Sequence, residues 1–179
     1  QFEIENNYTQ INYNGVPYRV TPLSYADPIK WLYNQKKGLP AYITVNMVTQ
    51  QTAEWNAETA QQIVQSVIDS GKEFNVIYAE NDDMAKGAVA ALDKANISHG
   101  VGKDVIVMGF DCNKWALEEL LAGNWNYDGQ CNPFQASYID AIIKDLQAGK
   151  APAEKTIIMD EKGFDASTIT QEDVDNYGI

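Results

Sequence analysis

The sequence has little histidine and cysteine, the residues that most often build zinc sites and disulfide frameworks. It contains one histidine, His99, and two cysteines, Cys112 and Cys131, with no Cys-x-x-Cys pair. Two cysteines cannot form the disulfide scaffold of a small secreted domain, and no Cys/His spacing indicates a metal. His99, between a serine and a glycine, is predicted to be a solvated loop residue. No metal site is predicted.

Positive charge and long apolar runs are also scarce. Lys and Arg total 13 against 25 Asp and Glu, a net charge of -12, which disfavours binding to nucleic acid or anionic membranes. The longest apolar runs, 41–48 and 105–110, are far shorter than the roughly 20 residues of a spanning helix. The first residue is Gln1 and no basic, apolar leader follows it. We therefore expect that an export signal was removed or lies upstream.

The 179 residues, 45% of them hydrophobic, are enough for a folded domain, and their pattern favours an α/β fold. Apolar runs and amphipathic stretches alternate, which predicts a three-layer sandwich with a mainly parallel sheet. The predicted strands are 41–48, 74–79, 105–110, 125–130 and 156–159. The predicted helices start at Asn56, Asn81 to Asp83, residue 117, Asn132-Pro133 and Thr170, and a further helix is predicted over 27–37. Before them, Asn14-Gly15 predicts a small hairpin.

Polar side chains follow three of these strands. Asn81, Asp111 and Gln130 each stand at or just after a strand end, and Trp55 lies in the loop after 41–48. Ligands of open α/β sheets bind at the carboxyl ends of the strands, so these side chains should converge on one crevice. Amides and a carboxylate suit a ligand rich in hydroxyl groups, and an indole can stack on a sugar ring. The predicted ligand class is a sugar.

Each of these residues also has a purely structural interpretation. Asn81 and Asp82 can be helix caps, and Asp82 or Asp83 is expected to be one. Trp55 can be a core residue, and Asp111 can be an ordinary loop acid. The functional interpretation depends on all four candidates falling at the same end of one sheet.

The motifs in this region resemble those of periplasmic sugar-binding proteins of the ribose-binding type. The resemblance covers roughly residues 41 to 150 and rests on the segments Glu54-Trp55-Asn56, Asn81-Asp82-Asp83-Met84-Ala85, Gly109-Phe110-Asp111 and Gln130-Cys131-Asn132-Pro133. It implies a periplasmic binding protein-like type I lobe in which Trp55, Asn81, Asp111 and Gln130 contact a monosaccharide. It implies no cofactor, no catalysis and no nucleic acid. An arginine common in the family has no clear counterpart here, and Lys30 is its weak substitute.

The resemblance also implies a division of the chain and a setting. Residues 1–130 correspond to the second lobe of a two-lobed protein, 131–160 to a helix and strand that cross the hinge, and 161–179 to a C-terminal tail. Family members deliver sugar to the permease of an ABC transporter and are extracytoplasmic, either periplasmic or cell-surface lipoproteins. Most of the first lobe has no counterpart in this chain. The apolar stripe of the 133–148 helix should then fold back onto its own domain or pair with a second copy in a homodimer.

Other functions fit parts of the pattern. The effector lobe of a lac-repressor-type transcription regulator resembles the same fold, but Gly102-Lys103-Asp104 and Asp111-Cys112 depart from the pattern of such regulators. These residues do not distinguish a sugar or autoinducer receptor for signalling from a transport protein. A glycan-processing enzyme using Asp82 and Asp111 is disfavoured, because the sequence shows no sign of a raised pKa or a suitable cleft. Cys112 and Cys131 are predicted to lie near each other, with their disulfide state open.

Overall fold

A mainly parallel sheet forms the centre of the fold. The computed structural model describes residues 2–5, 8–13, 16–20, 42–43, 46–150 and 159–179. The four-stranded sheet has the order β5-β6-β7-β8, with strands β5 Val76–Tyr78, β6 Ile106–Asp111, β7 Tyr127–Gln130 and β8 Gly163–Asp165. The first three strands are parallel and β8 is antiparallel to β7. The α/β class with a mainly parallel sheet is confirmed, whereas β8 has no counterpart among the predicted strands.

Five helices accompany the strands among the described residues: α1 Ala57–Asp69, α2 Asp82–Lys94, α3 Lys114–Leu121, α4 Ala136–Gln147 and α5 Gln171–Tyr177. Helix α1 packs against α2, and α3 packs against α5. Gly87 makes the first of these contacts possible, because a Cβ there would lie 1.9 Å from the carbonyl oxygen of Ala57. None of the five helices is both long and apolar enough to cross a membrane. The predicted helix over 27–37, Lys30 and most of the predicted 156–159 strand lie outside the described residues.

Side-chain caps fix where three of these helices, α1, α2 and α5, begin. Asn56 accepts from the Thr59 N–H at 2.9 Å, and Thr170 forms a capping box with Asp173, so both predicted starts are confirmed. The expectation that Asp82 or Asp83 caps α2 is wrong. The cap is Asn81, whose Oδ1 accepts from the Met84 N–H at 2.9 Å.

Helix α4 starts later than Asn132-Pro133 predicts. Its first residue is Ala136 and its N-cap position is Gln135. Asn132 instead accepts from the Phe134 N–H at 2.8 Å, two residues along the chain. That hydrogen bond closes a local turn, so the side chain is not free to cap a helix that begins beside it.

A second, antiparallel sheet includes the N-terminal strands. It has the order β3-β2-β1-β4, with β1 Phe2–Glu5, β2 Tyr8–Tyr13, β3 Val16–Val20 and β4 Tyr42–Ile43. Tyr13 pairs with Val16, which confirms the predicted hairpin. The prediction of a 41–48 strand in the parallel sheet is wrong: the strand is two residues long and pairs with β1. An apolar run predicts a strand but does not select its partner.

The core lies between the parallel sheet and its helices. Its largest fully buried side chains include Leu92, Val107, Leu117 and Leu120, and the Trp125 ring packs edge-on against Trp115 with centroids 5.9 Å apart. Helix α4 is outside this core, because none of its residues is buried. The helix therefore does not fold back onto the part of its own domain that the structure describes, which contradicts that predicted outcome.

His99 is not the solvated loop residue that the sequence predicts. Its side chain is only 13% exposed, and its Nε2 lies 3.1 Å from Asp93 Oδ1. Its Nδ1 lies 2.9 Å from the Asn124 carbonyl oxygen. The backbone of His99 also bridges to Val105, so the loop is packed against the start of β6.

Candidate functional site

Three of the four predicted site residues lie at one edge of the parallel sheet. Asp111 is the last residue of β6 and Gln130 is the last residue of β7, and the two are register partners. Asn81 follows β5 and caps α2. Since β5, β6 and β7 run parallel, their carboxyl ends meet at this edge, which is where α/β sheets bind ligands.

Asn81 and Asp82 both influence the ionisation of Asp111. Burial raises the pKa of Asp111, and the charge of Asp83 raises it further, while the Asp82 backbone N–H and the Asn81 side chain lower it. Because Asn81 Oδ1 accepts from the Met84 N–H, its Nδ2 is the group that can donate at this edge. The interpretation of Asn81 as a helix cap is confirmed, and the residue also lies at the carboxyl edge of the parallel sheet.

The turn after β6 presents Asp111 in an uncommon backbone conformation. Asp111 has φ 119° and Cys112 has φ 62°, both in the region that favours glycine. Two such non-glycine residues in succession need their surroundings to hold them, and they are typical of ligand-binding positions.

Gln130 is largely buried, with 8% of its surface exposed. Its backbone N–H donates to the Lys162 carbonyl at 2.8 Å, and its Oε1 accepts from the Lys162 N–H at 3.3 Å. The segment before β8 therefore fixes the Gln130 side chain by its oxygen. The Nε2 amino group has no partner among the described residues and is the part of Gln130 that can donate to a ligand.

Trp55 stands apart from the other three. Its side chain is 75% exposed, so the core interpretation is wrong. Glu54 and Trp55 have φ 52° and 56°, and Asn56 then caps α1. No hydrogen bond or ring contact joins Trp55 to the other candidates within the part of the chain that the structure describes. The structure thus gathers Asn81, Asp111 and Gln130, and presents Trp55 as an exposed indole at the start of α1.

Sequence reasoning missed a buried polar layer beneath this edge. Asp82 is fully buried, and its Oδ2 accepts from Asn113 N at 2.8 Å and Asn113 Nδ2 at 3.1 Å. Asp128 is also fully buried, and Cys112 Sγ lies 3.8 Å from its Oδ1. Burial raises the pKa of Asp82 to about 7 and that of Asp128 well above its usual value. One sequence signal was available: Asp128 stands inside a predicted strand, where an acid is uncommon.

The buried position of Asp82 argues against a glycan-processing enzyme in which Asp82 and Asp111 act as the catalytic pair. Its carboxylate has no solvent exposure and is bonded to Asn113, so it cannot reach a substrate beside Asp111. The described residues also contain no group of acids, histidines or cysteines that could hold a metal ion. Both cysteines are free thiols, Cys112 buried and Cys131 exposed, and the structure contains no disulfide between them.

Comparisons with known proteins agree with this architecture. The "periplasmic binding protein domain" family matches residues 27–151. A fructose import binding protein of Bifidobacterium longum is 33% identical over 134 residues, which are 74% of this chain and 39% of that protein. A solute-binding protein of an ABC transporter from Actinobacillus succinogenes, solved with bound D-allose, has a TM-score of 0.60 at 26% identity. The match covers 76% of this chain and 45% of that one.

A third match supports the fold alone. The structure of a galactofuranose-binding protein has a TM-score of 0.64 at 23% identity, over 74% of this chain and 45% of that one. The chain thus spans less than half the length of the relatives described here. These relatives are named as binding proteins rather than enzymes. The family match covers more than half of the chain, so the protein belongs to the periplasmic binding protein family, with its type I-like fold.

Proposed function

We propose that this chain is the sugar-contacting lobe of a solute-binding protein that serves an ABC importer. The observation that carries the proposal is the placement of Asn81, Asp111 and Gln130 at the shared carboxyl edge of the parallel strands, where Asp111 and Gln130 are register partners. The names of the relatives, which include a fructose import binding protein, support a simple sugar as the ligand.

The three polar residues divide the recognition of hydroxyl groups. Asp111 accepts from two adjacent hydroxyls, because a carboxylate offers several acceptor positions. Gln130 donates through Nε2, since its Oε1 is used by Lys162. The Oδ1 of Asn81 accepts from the Met84 N–H, so Asn81 donates to the sugar through its Nδ2. Trp55, which is exposed, stacks its indole on the apolar face of the sugar ring.

The proposed division of the chain follows the same family relationship. Residues 1–130 form the second lobe and 131–160 cross the hinge. The 161–179 segment returns to the lobe, where β8 pairs with β7 and α5 packs on α3. The exposed apolar side of α4 faces the first lobe in a two-lobed protein, or a second copy of this chain when that lobe is absent. The setting is extracytoplasmic, and the partner that receives the sugar is a membrane permease.

Sugar binding is tested by nuclear magnetic resonance titration of the ¹⁵N-labelled chain, which detects even millimolar affinity. D-fructose and D-allose are the probes, because they are the sugars of two relatives. We expect the backbone or side-chain amide signals of Asn81, Asp111 and Gln130 to move on addition of at least one probe. Succinate serves as a control for effects of the added solute.

A pair of variants identifies the residue responsible. Asp111→Asn should weaken binding roughly tenfold, because it replaces an acceptor of charge-assisted hydrogen bonds. Glu118→Gln removes the same charge from an exposed position on α3 and should bind as the unmodified chain does. If sugar signals move elsewhere, or both variants bind equally, the site assignment is wrong.

A further inference from the structure

Two carboxyl groups lie against each other beneath the Asp111 turn. Asp82 is the first residue of α2 and Asp128 is in the middle of β7, where it is the register partner of Gly109. The Asp82 carboxyl lies over Gly109, so it is next to the Asp128 side chain. Both residues are fully buried. Gly109 makes room for this arrangement, because a Cβ there would lie 2.6 Å from Asp82 Oδ1. The pair therefore fills a space that the sheet leaves open for it.

The pair must contain a proton. Asp82 Oδ1 and Asp128 Oδ2 are buried, and neither has a donor among the described residues. Two ionised carboxylates have only acceptors, so they can form a hydrogen bond only if one of them is protonated. Two adjacent buried charges of the same sign would also repel strongly.

The surroundings indicate which acid is protonated. Asp82 Oδ2 accepts two N–H groups of Asn113, and such donors stabilise an ionised carboxylate. The Oδ1 of Asp128 has the thiol of Cys112 at 3.8 Å, which is a weak donor, and the Cys112 backbone N–H lowers the Asp128 pKa less than burial and Asp82 raise it. Asp128 is therefore the neutral acid, and its O–H donates to the Asp82 carboxylate.

Asp82 connects the pair to the surface. Its carboxylate accepts from both the backbone N–H and the side chain of Asn113. The two residues before Asn113, Asp111 and Cys112, have positive φ, so this turn needs to be held from outside. The contacts of Asp82 with Asn113 thus hold the end of the turn.

We propose that Asp128, as a neutral buried acid, is a positioning residue for the sugar site: its O–H donates to the Asp82 carboxylate, which fixes the turn from Asp111 to Asn113. The proposal rests on the proposed function in one respect, namely that Asp111 contacts the sugar. Asp128 itself does not reach the ligand.

The charges around the pair favour this protonation state. The ionisable groups that act on it from the end of β6 are Asp111 and Cys112, and Asp83 on α2 acts on Asp111. The two aspartates can carry only negative charge, whereas the Cys112 thiol is neutral because burial raises its pKa. The charge of Asp111 makes a second negative charge in the pair less favourable, so the proton remains on Asp128 through neutral pH.

Two substitutions that both remove the carboxyl group distinguish a residue that keeps a hydrogen-bond donor from one that has none. Asp128→Asn keeps an uncharged N–H donor of the same shape, whereas Asp128→Val keeps a similar size and has no donor. With D-fructose as the probe, we expect the asparagine variant to bind within about twofold of the unmodified chain. The valine variant should bind roughly tenfold more weakly. Equal losses in the two variants, or no loss in valine, would overturn the proposal.

A second measurement does not depend on sugar binding. The amide signals of Cys112 and Asn113 should move in Asp128→Val and stay in place in Asp128→Asn. If no sugar binds to the unmodified chain while these signals behave as expected, the proposed function fails and the positioning link stands. Signals that move equally in both variants overturn the link.

A third measurement needs no variant and so covers the case in which the valine variant fails to fold. The carboxyl ¹³C signals of the aspartates, followed through a pH titration, report which acids carry a proton. Asp128 should be protonated at neutral pH, with Asp82 titrating first. An Asp128 carboxyl that is ionised at neutral pH overturns the proposal.

Discussion

The buried Asp82 carboxyl predicts that the free energy of unfolding decreases as the pH rises toward neutrality. Its pKa is about 7 in the folded chain against an ordinary value of 3.8. Below the ordinary value both the folded and unfolded states hold the proton. Between the two values only the folded state holds it, so unfolding releases the proton and is favoured by increasing pH. Above the folded value both states have lost the proton and the contribution is constant.

The size of this effect follows from the two pKa values. Each unit of difference corresponds to about 1.36 kcal/mol, so the shift from 3.8 to about 7 corresponds to about 4 kcal/mol of stability lost. Asp128 acts in the same direction, because its pKa is also raised. Such a loss is a large part of the roughly 5 to 15 kcal/mol that usually separates folded and unfolded domains.

Urea unfolding at a series of pH values measures this effect, with Asp82→Asn as the perturbation. The substitution removes the titrating group, so the difference in unfolding free energy between variant and unmodified chain should shift by about 4 kcal/mol, in favour of the variant, from acidic to neutral pH. Asp83→Asn is the matched control, because it removes the same charge from the adjacent, exposed residue. If the Asp82→Asn and unmodified curves run parallel, the buried acid does not have the raised pKa and the reasoning is refuted.

Three further predictions concern other parts of the chain. Ile143→Asp should decrease self-association at micromolar concentration in sedimentation experiments, because it places a charge in the exposed apolar side of α4. Ser137→Asp on the same helix is the control and should not decrease it. A monomeric unmodified chain would contradict the proposed dimer. Trp55→Ala should weaken sugar binding and remove any sugar-dependent change in tryptophan fluorescence, and an unchanged response would exclude stacking by Trp55. Thr170→Ala should lower the unfolding free energy by about 1 kcal/mol, because it removes the capping box at the start of α5. Thr168→Ala is the control, and equal losses in the two variants would contradict a stabilising role of the cap.

Several features could be predicted because they depend on neighbours in the sequence. The caps at Asn56 and Thr170 each involve a residue three positions along, so the local sequence specifies them. Apolar periodicity likewise predicts the α/β class, since each helix and strand shows one apolar face. From these elements it follows that Asn81, Asp111 and Gln130 lie at one edge, because parallel strands share their carboxyl ends.

Features that depend on distant partners were decided only by the tertiary structure. The sequence shows the apolar run at 41–48 but does not indicate that β4 pairs with β1. Asp82 looks like a cap in the sequence, and it becomes a buried acid because Asn113 and Asp128 come from later strands and loops. Whether a carboxyl group is solvated or buried beside another is set by the packing around it. The chemistry of Asp82 and Asp128 therefore follows from the assembled sheet, whereas the position of Asp111 at the sheet edge follows from the sequence.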